Sequence, residues 1–213
     1  MRKIFPDIKS YFLDKVKRFG ATPRGADWKN QEAQEKRFEQ ILKIIDGSSG
    51  PFTISDLGCG YGALFGFINK KCHRRFDYHG YDLLREMVEL GKKLYGRKKN
   101  FHIQRIQNFA AMKQTDYTVA SGIFNFRNGF SNKFWKKYIL TVLDQMNRAS
   151  LKGFSFNILS IYSDRAFRRN DLYYADPKFF FDYCKRKFSP HVTLVHSYGM
   201  YEFTILLFKQ PNR

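Results

Sequence analysis

Residues 52–62 read Phe52-Thr53-Ile54-Ser55-Asp56-Leu57-Gly58-Cys59-Gly60-Tyr61-Gly62. The first six residues predict a short buried strand, and the glycines that follow end it before an apolar helix from Ala63 to about Asn69. Glycine between a strand and a helix lets backbone N–H groups approach a nucleotide closely, because a Cβ at Gly58 or Gly60 would collide with the ligand. This stretch therefore predicts a nucleotide-binding turn in an α/β fold.

A carboxylate follows at the end of the next strand. Residues 76–81 predict a second strand ending at Asp82, and residues 84–95 predict an amphipathic helix, so a βαβ unit is complete. Asp82 comes twenty residues after Gly62, where an acid accepts hydrogen bonds from both ribose hydroxyls of a nucleotide. The turn and the acid together predict a site for a nucleotide cofactor.

Two classes of cofactor fit such a glycine turn. The pattern Gly58-x-Gly60-x-x-Ala63 would pass as a dinucleotide fingerprint, so NAD is one candidate. Asp56 favours another, because an acid at the end of the first strand can bind an ammonium group but would be idle or repulsive beside a pyrophosphate.

The rest of the chain alternates predicted strands and helices, which indicates a mostly parallel sheet. Further strands are predicted at 101–106, 117–121 and 154–159, and further helices at 133–149 and 177–188. Residues 192–196 and 201–208 flank a turn, so the chain is expected to close with an antiparallel hairpin. Such a hairpin also points away from a pure dinucleotide-binding fold.

The first 26 residues are polar and basic, with two prolines and two glycines. They predict a short helix from Ile8 to Phe19 followed by a loop. We therefore divide the chain into an N-terminal helical appendage, residues 1–26, and one α/β domain, residues 27–213. Asp27 or Asn30 is expected to cap the first helix of that domain.

The composition is that of a folded protein, since hydrophobic residues make up 43% and aromatic residues 18% of the 213 residues. No apolar run reaches the roughly 18 residues of a membrane helix, so we expect a soluble, cytoplasmic protein without a membrane partner. The cysteines, Cys59, Cys72 and Cys184, are odd in number and widely spaced. They fit neither a disulfide framework nor a zinc site, so we expect reduced thiols and no bound metal.

The charge is strongly basic, because 38 Lys and Arg residues face 19 Asp and Glu residues, a net charge of +19. Such a field attracts polyanions, which makes nucleic acid a candidate partner. The basic residues are scattered, however, with modest clusters at 70–75, 92–99 and 185–187. Solvated helix faces explain the charge equally well, and the oligomeric state is not indicated.

The segment Asp56–Gly62 resembles the first motif of class I S-adenosylmethionine-dependent methyltransferases, and Tyr81-Asp82 resembles their second. The likeness spans about residues 27–208 and includes a fourth-strand segment at 116–125. It implies a Rossmann-like fold with a mostly parallel seven-stranded sheet, an antiparallel C-terminal hairpin strand and helices on both faces. It also implies an enzyme that uses S-adenosylmethionine and releases S-adenosylhomocysteine.

The resemblance assigns parts of the cofactor to particular residues. Asp56 and the glycine loop would hold the methionine part, Asp82 the ribose, and Leu83 would lie against the adenine. The family often carries an acid after the third strand, but Gln104–Asn108 offers none, which leaves adenine recognition open. The implied cofactor-binding set is Trp28, Arg37, Asp56, Gly58, Cys59, Gly60, Gly62, Asp82, Leu83, Arg105, Ile106, Ser121, Gly122 and Ile123.

Two members of that set precede the core. Asp27-Trp28 and Arg37-Phe38 resemble a stretch in bacterial members of the family that lack an assigned substrate. Trp28 would cover the cofactor, and Arg37 would pair with its carboxylate through two parallel hydrogen bonds. A core tryptophan and a solvated helix arginine are equally open alternatives.

The chemistry does not require a fixed catalytic motif, because the sulfonium already makes the methyl group electrophilic. Asp164 and His196 are candidate general bases, although a histidine on a strand is more often structural. Residues 160–175 follow a strand whose carboxyl end faces the expected crevice, and their arginines suit an anionic acceptor. The alternative is an exposed basic loop. The candidate acceptor-binding residues are Asn125, Tyr162, Arg165, Arg168, Tyr173 and Tyr174.

Three functions remain open from the sequence. The first is methyl transfer to an oxygen or nitrogen of a small, anionic metabolite or sugar. The second is methylation of RNA or a ribosomal protein, and the third is a non-catalytic module that binds cofactor or nucleic acid. Amino methylation of nucleic-acid bases is disfavoured, because Ser121-Gly122-Ile123-Phe124 lacks the prolines of that class.

Overall fold

The computed structural model describes residues 5–45, 47 and 49–209, and its centre is a seven-stranded sheet. Its strands are β1 (Phe52–Leu57), β2 (Phe76–Asp82), β3 (Phe101–Arg105), β4 (Thr115–Ala120), β5 (Ser150–Leu159), β6 (His191–Val195) and β7 (Glu202–Phe208). They lie in the order β3-β2-β1-β4-β5-β7-β6. Strands β1 to β5 run parallel to one another, and β7 runs antiparallel between β5 and β6. The predicted fold class is confirmed.

Helices cover both faces of this sheet, as predicted. They are α1 (Phe5–Phe19), α2 (Gln31–Leu42), α3 (Ala63–Lys71), α4 (Arg85–Tyr95), α5 (Asn132–Ala149) and α6 (Pro177–Lys187). One apolar cluster holds side chains of α5 and α6, with Trp135 and Phe180 buried in it. The other holds side chains of α2 and α3, with Ile41 and Phe65 fully buried. Each face of the sheet is therefore covered by helices through an apolar cluster.

The element boundaries differ from the prediction by a residue or two, except at α1, which begins at Phe5 rather than at Ile8, and at β5, which begins at Ser150 rather than at residue 154. Leu151 and Lys152 at its start are exposed, so this end shows no buried pattern that a sequence could reveal. Asn30, not Asp27, caps α2, because its Oδ1 accepts from the Ala33 N–H at 2.9 Å.

The parallel topology brings the carboxyl ends of β1, β2, β4 and β5 to the same side of the sheet, along the edge that runs across the strand ends. Antiparallel β7 begins at this edge. The helices return in the opposite direction, so their carboxyl ends lie at the other edge. The basic clusters at 70–75, 92–99 and 185–187 follow or end α3, α4 and α6. The predicted basic clusters therefore lie at the edge opposite the carboxyl ends of the strands.

Helix α1 packs against the edge where those strands end. The Tyr11 ring stacks on Phe126 with 4.2 Å between centroids, and its hydroxyl donates to Asp27 Oδ2 at 2.9 Å. Lys15 forms an ion pair with Asp27 at 3.0 Å, and Val16 is buried in a small apolar cluster. The predicted N-terminal helix is present. Residues 1–4 of the predicted N-terminal appendage and residues 210–213 of the predicted α/β domain lie outside the described residues. Among the described helices, none is both long and apolar enough to cross a membrane.

Candidate active site

A cavity of about 390 Å³ lies at the carboxyl ends of the strands. It passes from Asp82 at the end of β2, across the loops after β1 and β4, to Glu202 at the start of β7. Four strand spacings separate β2 from β7, which corresponds to roughly 19 Å. The cavity therefore extends across five of the seven strands.

The glycine loop after β1 forms the floor of this cavity. Gly58 and Gly60 have φ values of +74° and +55°, a region that glycine adopts without the strain a side chain would add. A Cβ at Gly58 would lie 2.1 Å from Cγ2 of Ile123. The Gly58 and Cys59 N–H groups both donate to the Tyr81 carbonyl, at 2.8 and 3.1 Å. The loop is thus fixed against β2, and its remaining surface faces the cavity.

Asp82 anchors this loop through both of its carboxylate oxygens. The Gly60 N–H donates to Oδ2 at 2.9 Å, and the Leu84 N–H donates to Oδ1 at 2.8 Å. Burial raises the pKa of the carboxyl group, and the backbone donors oppose that shift. Each oxygen has a further lone pair, so the carboxylate can accept from a ligand diol.

Asp56 is a buried acid in the same cavity, with an exposed fraction of 3%. Burial raises its pKa to about 7, the Tyr78 hydroxyl that donates to Oδ2 at 2.7 Å opposes the rise, and the charge of Asp82 adds to it. A carboxylate in such surroundings is stabilised by a nearby cation. Asp56 therefore fits a ligand that carries an ammonium group.

Trp28 covers the loop after β4. A Cβ on Gly122, whose φ is +77°, would lie 2.4 Å from Cη2 of Trp28, so only glycine fits beneath the indole. The Arg37 guanidinium lies 4.3 Å from the centroid of the Trp28 ring, which is a cation–π contact. The tryptophan predicted to cover the cofactor does lie on the cavity wall beside Ser121 and Ile123.

Arg37 binds a partner that the sequence did not suggest. Its Nε and Nη2 donate to Oε1 of Glu202 at 2.9 and 2.8 Å, and Nη2 is also 2.8 Å from Oε2. Asn125 Nδ2 donates to the same Oε1 at 3.3 Å. Burial raises the pKa of Glu202, whereas the charge and the hydrogen bonds of Arg37 and the hydrogen bond of Asn125 lower it, and the net shift is upward. Glu202 is the first residue of a mostly apolar strand, so the sequence offered no signal for a site residue.

The opposite end of the cavity is apolar and is lined by Leu83, Leu84 and Phe109. Three members of the predicted cofactor set, Gly62, Arg105 and Ile106, do not line the cavity. Gly62 precedes α3 and packs on Phe101, Arg105 is exposed and its Nε donates to the Leu83 carbonyl, and Ile106 is in the core. Arg105 thus supports the backbone beside the cavity.

The candidate bases lie outside the cavity lining. Asp164 is exposed and accepts from the Tyr201 hydroxyl at 2.5 Å. The His196 ring contacts Tyr162 and Phe203, with centroids 6.0 and 6.1 Å apart. Neither Asp164, which precedes the 3₁₀ turn at Arg165–Phe167, nor His196, which follows β6, lines the cavity.

Among the candidate acceptor-binding residues, Asn125 lines the cavity and the others do not. Tyr162 is 60% exposed and Tyr173 is buried in the core. Arg165 is exposed, the Arg168 side chain donates to the carbonyls of Ile161 and Ser163, and Tyr174 accepts from the Arg169 N–H. Arg169 and Leu172 from this loop line the cavity instead, together with Ile8, Lys9 and Phe12 of α1.

Comparison with known proteins identifies the family of this chain. No protein-family model matches the chain. A protein of Mycobacterium tuberculosis (strain ATCC 25618 / H37Rv) named "Putative methyltransferase Rv1506c" is 45% identical over 168 residues, which cover 79% of this chain and 99% of that protein. The chain belongs to the class I S-adenosylmethionine-dependent methyltransferases.

Solved structures share the fold of this methyltransferase at low identity. Magnesium protoporphyrin IX methyltransferase (ChlM) from Synechocystis PCC 6803 with bound SAH has a TM-score of 0.64 at 11% identity, over 96% of this chain and 99% of that chain. Small RNA methyltransferase HEN1 has a TM-score of 0.60 at 13% identity, over 83% of this chain and 25% of that chain. The names of these two neighbours differ in acceptor, so the fold of the methyltransferase does not identify one.

The cavity residues of the methyltransferase fit its cofactor. Asp56 is a buried acid that a cation would stabilise, and S-adenosylmethionine carries an ammonium group. Asp82 offers two carboxylate oxygens to a ribose diol, and Leu83 and Phe109 offer apolar surface to a base. Among the described residues, three metal-ligating side chains converge at Asp77, His79 and His102, away from this cavity.

Proposed function

We propose that this methyltransferase transfers a methyl group to an oxygen or nitrogen of a small, anionic acceptor bound beside Glu202 and Asn125. S-adenosylmethionine supplies an electrophilic methyl group, so the protein has chiefly to bind, align and exclude water. The observation that carries the proposal is the position of Glu202, a buried carboxylate at the end of the cavity farthest from Asp82.

The cofactor half of the cavity lies over β2, β1 and β4. Asp82 would accept from the ribose hydroxyls, Asp56 would pair with the ammonium group, and Trp28 would cover Gly122 beside the sulfonium. Leu83 and Phe109 would lie against the adenine. This assignment is supported by the lining of the cavity and by the close approach of Trp28 to Gly122.

The acceptor half lies over β5 and β7, and Leu159, Met200, Asn125 and Glu202 line it. Glu202 Oε2 has no hydrogen-bond donor apart from the ion-pair contact with Arg37. An acceptor O–H or N–H placed here would donate to Oε2 and pass its proton to that atom during the transfer. Arg37 and Asn125 would hold the carboxylate in place. We therefore propose Glu202, rather than Asp164 or His196, as the general base.

Two cations favour an anionic acceptor. Lys9 of α1 and Arg169 line the cavity, and Arg169 also pairs with Asp171 through its Nε at 3.0 Å. A guanidinium or ammonium at the mouth of a cavity binds a carboxylate or phosphate group. The acceptor would thus carry its anionic group towards α1 and its nucleophile towards Glu202.

The same features argue for a small molecule over RNA. Helix α1 is held at the cavity by the Tyr11–Phe126 stack and the Lys15–Asp27 ion pair, and its residues Ile8, Lys9 and Phe12 narrow the opening. The basic clusters at 70–75, 92–99 and 185–187 lie at the opposite edge of the sheet, so they would not guide a polyanion into the cavity.

The test has two arms. Calorimetry should show binding of S-adenosylmethionine and S-adenosylhomocysteine but not of NADH. Transfer of labelled methyl from S-adenosylmethionine, in the presence of a cell extract separated into metabolites, RNA and protein, should label the anionic metabolite fraction. Label in RNA that declines steeply with added salt would instead support an RNA acceptor. Tight NADH binding without S-adenosylmethionine binding would contradict the cofactor assignment.

A further inference from the structure

We propose that Asp77, His79 and His102 form a binding site for one divalent transition-metal ion, with zinc as its probe, on the face of strands β2 and β3. The three side chains offer a carboxylate and two imidazole nitrogens, which is a donor set typical of Zn²⁺. Their ligand atoms all lie within 4.8 Å of one another.

The sheet itself brings these side chains together. Asp77 and His79 are two residues apart on β2 and therefore point to the same face. His79 pairs with His102 of β3 in the strand register, and the two rings stack with centroids 4.8 Å apart and an interplanar angle of 17°. Two rigid strands thus fix all three ligands.

The ligand atoms converge on one point. His79 Nε2 is 2.9 Å from Asp77 Oδ2, and His102 Nε2 is 2.9 Å from Asp77 Oδ1. Two ligands on a tetrahedral zinc, with bonds of about 2.0–2.1 Å, lie roughly 3.3 Å apart. Each imidazole nitrogen therefore has to move away from its carboxylate oxygen by a few tenths of an ångström to receive an ion. The widest pair of ligand atoms, which lies within 4.8 Å, has to reach the same spacing.

Space for a fourth ligand lies beside the cluster. A second cavity, of about 300 Å³, is lined by His79, His102 and Lys113, and a water molecule there would complete four-coordination. Lys113 Nζ is 3.4 Å from His79 Nε2, so its charge opposes a bound cation. Lys113 therefore lowers the affinity for a metal ion and supplies no ligand, and its flexible side chain can turn away from the ion.

The site is separate from the cofactor cavity. Asp77 and His79 precede Asp82 on β2 by five and three residues, which corresponds to roughly 10–16 Å along the strand. An ion here would link edge strand β3 to β2 and would not touch the cofactor. Zinc binding can therefore fail or succeed independently of the proposed methyl transfer.

The experiment measures zinc binding to untagged, metal-free protein by competition with a chromophoric chelator. We expect one zinc ion per chain. His102→Ala should lower the affinity by about 100-fold, because loss of even an indirect partner of a ligand costs about 10–100-fold. The His102 side chain is 51% exposed, so this variant should fold. Zinc should raise the melting temperature of the wild-type protein and not that of the variant.

Lys113→Met is the most specific variant. Removal of a positive charge about 5 Å from a divalent ion should raise the affinity by about tenfold even when water screens the charge. Lys93→Met, on exposed α4, is the matched control and should leave the affinity unchanged. His73→Ala tests for adventitious binding at exposed His73 and its half-buried neighbour Cys72.

The outcomes divide clearly. Stoichiometric binding that His102→Ala weakens and Lys113→Met strengthens supports the site. No binding to the wild-type protein, or binding that His73→Ala removes and His102→Ala does not, overturns it. A loss of thermal stability in His102→Ala without any zinc binding would show that the three side chains only form hydrogen bonds.

Discussion

The guanidinium of Arg37 holds the carboxylate of Glu202, which lies 165 residues away in the chain, with two N–H donors 2.8 and 2.9 Å from Oε1. The pair joins α2 to the first residue of β7 across the acceptor half of the cavity. A buried carboxylate without such a partner would pay several kcal/mol of desolvation. Arg37 therefore offsets the cost of burying the Glu202 carboxylate in the cavity wall.

Replacing Glu202 should separate catalysis from cofactor binding. Glu202→Gln keeps the shape but cannot accept a proton, so single-turnover methyl transfer to the labelled fraction should slow by about 10²–10⁴-fold. The affinity for S-adenosylhomocysteine, measured by calorimetry, should change little. Asp182→Asn, on the exposed face of α6, serves as control. An equal loss in Asp164→Asn or His196→Ala, with Glu202→Gln active, would transfer the role of base to those residues.

The buried Asp56 makes a prediction about stability and pH. Its pKa is about 7 in the folded protein, against 3.8 for an ordinary Asp. Between these values the folded state holds a proton that the unfolded state has lost, so the free energy of unfolding should fall as pH rises through this window. Asp56→Asn has no such proton to lose and should be more stable than the wild type by about 2–4 kcal/mol at pH 8.

Urea unfolding at pH 4, 6 and 8 without cofactor measures this difference. The two proteins should be closest in stability at pH 4 and should diverge as pH rises. Asp56→Asn should also bind the cofactor more weakly, because the amide cannot pair with an ammonium group. Parallel pH profiles for the two proteins would contradict the raised pKa.

Asp82 should determine cofactor affinity. In Asp82→Asn the amide NH₂ would face the N–H of either Gly60 or Leu84, and two donors cannot hydrogen-bond. The variant also loses one of the two oxygens that would accept from the ribose hydroxyls. Affinity for S-adenosylhomocysteine should fall by about 10–100-fold, the worth of a hydrogen bond to a charged group. Asp116→Asn is a matched control, since Asp116 Oδ2 also accepts from a backbone N–H, that of Thr53 at 2.8 Å, but at the opposite edge of the sheet. Similar affinity losses in both variants would point to a general effect on folding.

Two glycines with nearly the same backbone test the role of Trp28. Gly122 and Gly129 have φ values of +77° and +79°, but a Cβ at Gly129 meets nothing within 4 Å. Alanine at either position should cost about 1–2 kcal/mol in backbone strain. Gly122→Ala should in addition displace Trp28 and weaken cofactor binding, as measured by quenching of tryptophan fluorescence on titration. Equal cofactor affinity in both variants would remove Trp28 from the cofactor site.

The cover formed by α1 should affect the acceptor more than the cofactor. Tyr11→Ala removes the stack on Phe126 and the hydrogen bond to Asp27, each worth about 0.5–1.5 kcal/mol. We expect a higher KM for the acceptor and faster proteolysis near α1, with kcat at saturation largely retained. Exposed Phe134→Ala on α5 provides the control. An unchanged KM together with faster proteolysis would show that α1 stabilises the fold without contacting the acceptor.

The sequence revealed those parts of the molecule that depend on local order. The turn at Gly58 and Gly60, the acid at Asp82 and the strand alternation each follow from a few neighbouring residues. Glu202, Lys9 and the cluster around Asp77 do not, because they meet their partners only after strands and helices from distant parts of the chain have assembled. Arg168, predicted from the loop after β5, does not line the cavity for a related reason: its side chain donates to the Ser163 carbonyl of the same loop, which composition cannot reveal.

The direction of β7 has a practical consequence. This strand begins beside the cavity with Glu202 and ends at Phe208, at the edge of the sheet where the basic clusters lie. A fluorophore or immobilising handle attached where β7 ends would lie at the opposite edge of the sheet from the cavity. Surface-attached protein should therefore report ligand binding without interference from its own tether.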